Sequence, residues 1–151
     1  MIVYVYRHLA TGLALSAAAV PCAGKTNPSP AAPVAHCEVG DSSMVRDVLY
    51  FGRNRPAGGF VSDAEWQEFL DQVVTPRFPA GLTVVNANGQ WRGQNGALEH
   101  ERAEILTLFH AGDEPARRAV GEIIAEYKRR FAQEAVLRDR TPTCARWSMG
   151  R

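Results

Sequence analysis

Hydrophobic and polar positions along the chain fall into alternating strand-like and helix-like blocks. The run Arg46 to Gly52 is β-branched and aromatic, and the turn-rich segment Arg53 to Gly59 stops it, which predicts a first strand. Val48 and Tyr50 alternate with Leu49 and Phe51, so both faces are apolar and the strand is central. Ser62 followed by Glu65 makes a capping box, since the hydroxyl accepts from the third helical amide while the glutamate reaches back. Trp66, Phe69, Leu70, Val73 and Val74 then form one apolar stripe of helical period, ended by Pro76.

Gly81 to Trp91 predicts a second strand, and Gly93-Gln94-Asn95-Gly96 a hairpin turn. Ala103 to His110 reads as a third strand, with Ile105, Thr107 and Phe109 on one face and Leu106 and Leu108 on the other. Asp113 is the natural N-cap of a second helix, with Glu114 and Pro115 in its first turn. Its stripe is Ala116, Ala119, Val120, Ile123, Ile124, Tyr127 and Phe131. On its other side Glu114 faces Arg118 and Glu126 faces Arg130, so Lys128-Arg129-Arg130 reads as a solvated face rather than a binding patch. A last strand is expected over Glu134 to Arg138, with Pro142 to Trp147 closing the domain.

The order β-α-β-β-α-β is that of an α+β, ferredoxin-like domain: one antiparallel sheet with two helices on one face. Such a sheet leaves its second face bare. With two strands apolar on both sides, the expected cover is a second copy packed sheet to sheet, or the preceding tether folded across it. In this strand order the first and last strands are neighbours, which sets the segments holding Cys37 and Cys144 side by side for a disulfide.

Residues 1–24 have the form of a signal peptide, with Arg7 and His8 closing a short basic region before the apolar run Leu9 to Val20. That run is about a dozen residues, short of the roughly 20 a spanning helix needs. Cys22-Ala23-Gly24 suits cleavage ahead of Lys25. Ala19-Val20-Pro21-Cys22 is a degenerate lipoprotein box that would lipidate Cys22, with Pro21 where such boxes carry a small residue. Only that lipidation would give the protein a membrane. Residues 25–43, rich in Pro, Ala and Ser, form the expected tether, and residues 44–148 the single domain. The whole chain has a formal charge of +1 over 151 residues, and loss of residues 1–24 leaves acids and bases equal in number. No basic excess remains to hold phosphates, which argues against a nucleic-acid partner.

Several segments carry a family resemblance: Leu49-Tyr50-Phe51-Gly52, Trp66, Val74-Thr75-Pro76-Arg77-Phe78-Pro79 with Gly81-Leu82-Thr83, Gly89-Gln90-Trp91-Arg92, and Gln133-Glu134-Ala135-Val136-Leu137. Read in order they resemble the bacterial exported domain of unknown function family 3574, over about Val48 to Trp147. The resemblance implies an exported or lipid-anchored bacterial protein and carries no catalytic assignment.

The polar residues of these segments are the candidate ligand-binding set: Tyr50, Arg53, Arg77, Gln90, Trp91 and Arg92, joined by Glu101 and His110. Gln90-Trp91-Arg92 offers a donor and a cation beside an aromatic wall, suited to a carboxylate or sugar; the structural alternative packs Trp91 and ties Arg92 to hairpin carbonyls. Arg77 between two prolines has the alternative role of capping the first helix, and His110 that of a structural histidine. His36-Cys37 and Glu99-His100-Glu101 lack metal-site spacing, and no nucleophile-elbow, phosphate-loop or Cys-x-x-Cys motif occurs. The reading is therefore an exported module that binds a small molecule or an envelope protein without a cofactor. A small cofactor-independent enzyme is the alternative, with Tyr50, Arg92, Glu101 or His110 as acid, base or oxyanion partner.

Overall fold

A computed structural model describes residues 37–92 and 96–148. Residues 1–24, Cys22 and most of the expected tether lie outside them, as do residues 93–95 of the hairpin. The elements follow in the order β1 (Ser42–Gly52), α1 (Asp63–Phe69) continued by a π-helical turn (Leu70–Val74), β2 (Thr83–Arg92), β3 (Leu98–His110), α2 (Glu114–Phe131) and β4 (Leu137–Ala145). The sheet is antiparallel in the order β2-β3-β1-β4, so the two doubly apolar strands are indeed central. This is the ferredoxin-like α+β arrangement.

Both helix starts follow from their caps. The Ser62 hydroxyl accepts from Glu65 N at 3.3 Å while a Glu65 carboxylate oxygen accepts from Ser62 N at 2.9 Å. Asp113 accepts from Ala116 N at 3.0 Å. Glu114 pairs with Arg117 rather than the expected Arg118, whereas Glu126 holds both Arg129 and Arg130, which leaves the basic run on a solvated face. The stripes of α1, the π turn and α2 lie on Leu49, Phe51, Leu106 and Leu108. Phe51, Trp66, Phe69, Tyr127 and Phe131 form its aromatic centre, with Phe51 and Tyr127 edge-on at 4.6 Å between ring centroids.

The bounds of three strands correct the sequence reading. The last strand is Leu137–Ala145 instead of Glu134–Arg138. It is an edge strand whose polar run Arg138-Asp139-Arg140-Thr141 has no apolar alternation, and an edge tolerates Pro142 because one side of the strand needs no ladder donor. Because β4 runs that far, Ser42 finds a partner in Ala145 and β1 starts four residues before Arg46, taking Ser42 and Ser43 from the expected tether. β3 also begins earlier, at Leu98, so Glu99, His100 and Glu101 belong to the sheet.

Cys37 and Cys144 form a disulfide with Cα atoms 5.4 Å apart, beside the Ser43–Cys144 pairing of β1 and β4. A structural disulfide of this kind fits an extracellular, oxidising compartment. The opposite sheet face, by strand alternation, carries Val48, Tyr50, Val85, Ile105, Phe109 and Leu137. Val85 is 52% exposed, Phe109 40% and Leu137 64%. This is the bare face on which a second copy or the tether is expected.

Candidate functional site

β1 and β2 both run antiparallel to β3, so their C-terminal ends lie together at one end of the sheet: Gly52 pairs with Ala103 and Gly89 with Glu101. That end holds a half-open cavity of about 240 Å³ lined by Tyr50, Gly52, Gly89, Gln90, Trp91, Glu101 and Ala103 from the sheet, and by Gln133, Ala135 and Leu137 from the approach to β4. Two strand positions in it, Gly52 and Gly89, carry no side chain, and at Gly52 another group approaches closely. A Cβ at Gly52 would lie 2.4 Å from a Glu101 carboxylate oxygen, so the carboxylate rests in the space that glycine leaves.

Glu101 is half-buried. Its carboxylate accepts from Asn54 N at 3.2 Å and forms no ion pair among the described residues. Burial pushes its carboxyl above the ordinary glutamate value; the Asn54 amide draws it back in part, and the neighbouring Glu99 charge adds to the rise. Trp91 borders the cavity with its indole N–H buried and without a partner among the described residues. Gln133 is fixed by donating to Asn54 O at 2.6 Å. Among the described residues, no lysine or arginine lines this cavity. A shallow annex joins Trp91, Glu99, Glu101 and Glu134 to Arg55, and Arg55 is drawn away to Glu65 at 2.6 Å.

Four of the eight candidates therefore meet: Tyr50, Gln90, Trp91 and Glu101. The other four do not. Arg92 donates to Gly96 O at 2.6 Å, within its own hairpin. Arg77 donates to Val73 O at 2.8 Å, closing the end of the first helical segment, and to Glu122 at 3.1 Å. Arg53 is 1% exposed and spent on the fold: it donates to Val61 O at 2.6 Å, to Asp63 at 2.7 Å and to the buried Glu104. Asn86, with its amide nitrogen turned to Glu104, donates to that carboxylate as well.

His110 lies at the opposite end of β3. Its Nδ1 accepts from Gly112 N at 3.0 Å and its Nε2 meets Asp47 at 2.7 Å, while Arg138 grips the same carboxylate through two contacts of 2.7 Å. Burial alone would push the Asp47 carboxyl up, but the Arg138 and His110 hydrogen bonds outweigh it and hold the carboxyl below the ordinary range. This buried group ties β1, β3 and β4 together. Gly112, at φ +76, turns the chain there, where a Cβ would press on Val45 at 2.6 Å.

Gly52, Gly89, Ala103, Gln133, Ala135 and Leu137 complete the cavity and were not among the sequence candidates. The two glycines inside strand patterns were the available signal.

No curated protein matches the chain. Among solved structures, a phage SAM lyase in complex with S-methyl-5'-thioadenosine is 14% identical, covers 78% of this chain and 100% of its own, and superposes with a TM-score of 0.52. A phage SAM lyase in the apo state is 13% identical over 72% of this chain and 94% of its own, with a TM-score of 0.52. CutA from Synechococcus elongatus PCC7942 is 9% identical over 68% of this chain and 80% of its own, with a TM-score of 0.45. The likeness to the lyases is one of fold. The sequence model of one family spans residues 46–147, all of the sheet-and-helix unit but the first four residues of β1, and the chain belongs to that family, described as protein of unknown function (DUF3574).

Proposed function

We propose that the protein is an exported small-molecule-binding module whose ligand sits in the cavity at the Tyr50–Glu101 end of the open sheet face. The observation that carries this reading is a carboxylate held half-buried and without an ion-pair partner among the described residues, in a cavity whose walls include Tyr50, Trp91, Ala103, Ala135 and Leu137 beside the amides of Gln90 and Gln133. Mostly apolar walls with one or two convergent polar groups are the composition of small-ligand sites. The filled core and the half-open mouth favour binding over catalysis, which gains from a closed, water-poor pocket. Export through residues 1–24 places the module in the periplasm or outside the cell, free or anchored at Cys22; the disulfide supports that compartment.

The test is amide shift mapping of the folded, oxidised domain with 3,3-dimethyl-1-butanol, a neutral probe of the cavity's scale. Shifts are expected at Tyr50, Gly52, Trp91, Ala103 and Leu137, and Ala103→Leu, which fills the floor, is expected to remove them. Absence of shifts at these residues, or shifts that Ala103→Leu leaves unchanged, contradicts the assignment.

A further inference from the structure

We propose that the ligand of this cavity is a small organic cation, a quaternary or protonated amine whose charged head is held at the Glu101 carboxylate beside the rings of Tyr50 and Trp91. The inference rests on the cavity being the ligand site, and names its chemistry. The sequence offers Arg92 beside Trp91 for a carboxylate or sugar, and Arg53 as a further candidate. The fold removes both: Arg92 closes its own hairpin and Arg53 is buried against Glu104 and Asp63.

What remains at this end of the sheet is acidic. Glu101 lies in the cavity, and Glu99 and Glu134 line the adjoining annex; none of the three has an ion-pair partner among the described residues. Of the nearby cations, Arg55 is held by Glu65 and Arg102 lies 3.6 Å from Asp63. An anion would meet uncompensated like charge here, whereas a cation would supply the counter-charge that Glu101 lacks. A weakly hydrated ammonium loses less on leaving water than a compact metal ion, and it gains from contact with aromatic faces.

The experiment compares choline with 3,3-dimethyl-1-butanol, which has the same shape with carbon in place of nitrogen and therefore no charge. Titrations of the oxidised domain are followed by amide shifts at Tyr50, Gly52 and Trp91. Choline is expected to bind at least about tenfold more tightly than the alcohol, the size of one good charge contact. Glu101→Gln is expected to abolish the difference, so that the variant binds choline no more tightly than it binds the alcohol.

Choline binding is also expected to weaken as pH falls through the raised Glu101 value, while alcohol binding stays level. The titratable and charged groups around Glu101 are Glu99 on its own strand, Glu134 before β4, Arg55 after β1, Tyr50 in the cavity, and His100 and Arg102 in the neighbouring depression. Equal affinities for the two probes would overturn the cation inference and leave the cavity assignment standing. Binding of neither would overturn both.

Discussion

Replacing Cys37 and Cys144 together by serine is expected to lower the unfolding free energy by about 4 to 5 kcal/mol, most of the stability of a small domain at the low end of the usual range. The bridge joins positions separated by 107 residues, nearly the whole folded unit, so it removes a large loop-closure entropy from the unfolded chain. It also fastens the strand with the weakest hold. No β4 residue belongs to the buried apolar core, and Leu137, its first residue, is 64% exposed. What keeps β4 in place is its ladder to β1, the Arg138–Asp47 pair and this crosslink. Guanidinium unfolding of the oxidised protein and the double serine variant measures the loss, and amide exchange is expected to rise first along β4. A loss below about 1 kcal/mol would show that the sheet edge holds without the bridge.

Arg53→Met is expected to destabilise by about 3 to 5 kcal/mol, because it strands a buried carboxylate. Glu104 is 2% exposed and its cationic partner is Arg53. Asn86 hydrogen bonds alone do not supply a counter-charge. The same change frees Asp63, which matters less because Asp63 reaches solvent, and it leaves the buried Val61 carbonyl without the Arg53 donor, a smaller cost than a stranded charge. The informative comparison adds Glu104→Leu. With both charges gone the site becomes an apolar extension of the core, so the double variant is expected to recover much of what the single one loses. Urea unfolding of the three proteins decides it. A double variant no more stable than Arg53→Met would show that the cost lies in Arg53's contacts with the loop and not in the stranded charge.

The sequence made the centre of this fold legible and its margins not. β1 and β3 announce themselves because both faces are apolar, and the helices because Ser62, Glu65 and Asp113 are cap residues placed ahead of apolar stripes. β4 is hidden because an edge strand needs neither alternation nor a full set of donors. The first third of β3 is hidden for a related reason: Glu99-His100-Glu101-Arg102 has no apolar alternation. The site divides along the same line. Arginine in a family-like motif reads as an anion binder, but a guanidinium has five donors, and Arg53 and Arg77 spend theirs on carbonyls and carboxylates of the fold. The cavity is made by absent side chains at Gly52 and Gly89 and by a polar strand end, features that periodicity does not register.

Glu101 is the residue on which the functional account turns, and its stability effect separates a binding role from a supporting one. Its carboxyl lies above the ordinary value in the folded protein, so the folded state holds that proton more tightly than the unfolded chain does. Above both values the carboxylate is therefore a net cost to folding, reduced because solvent screens a half-exposed group. The deciding measurement is the unfolding free energy of Glu101→Gln against the parent protein at pH 7. The account predicts that the variant is equal to or more stable than the parent, by up to about 0.5 kcal/mol. A loss of more than about 1 kcal/mol would make Glu101 a structural support and contradict its assignment to a ligand.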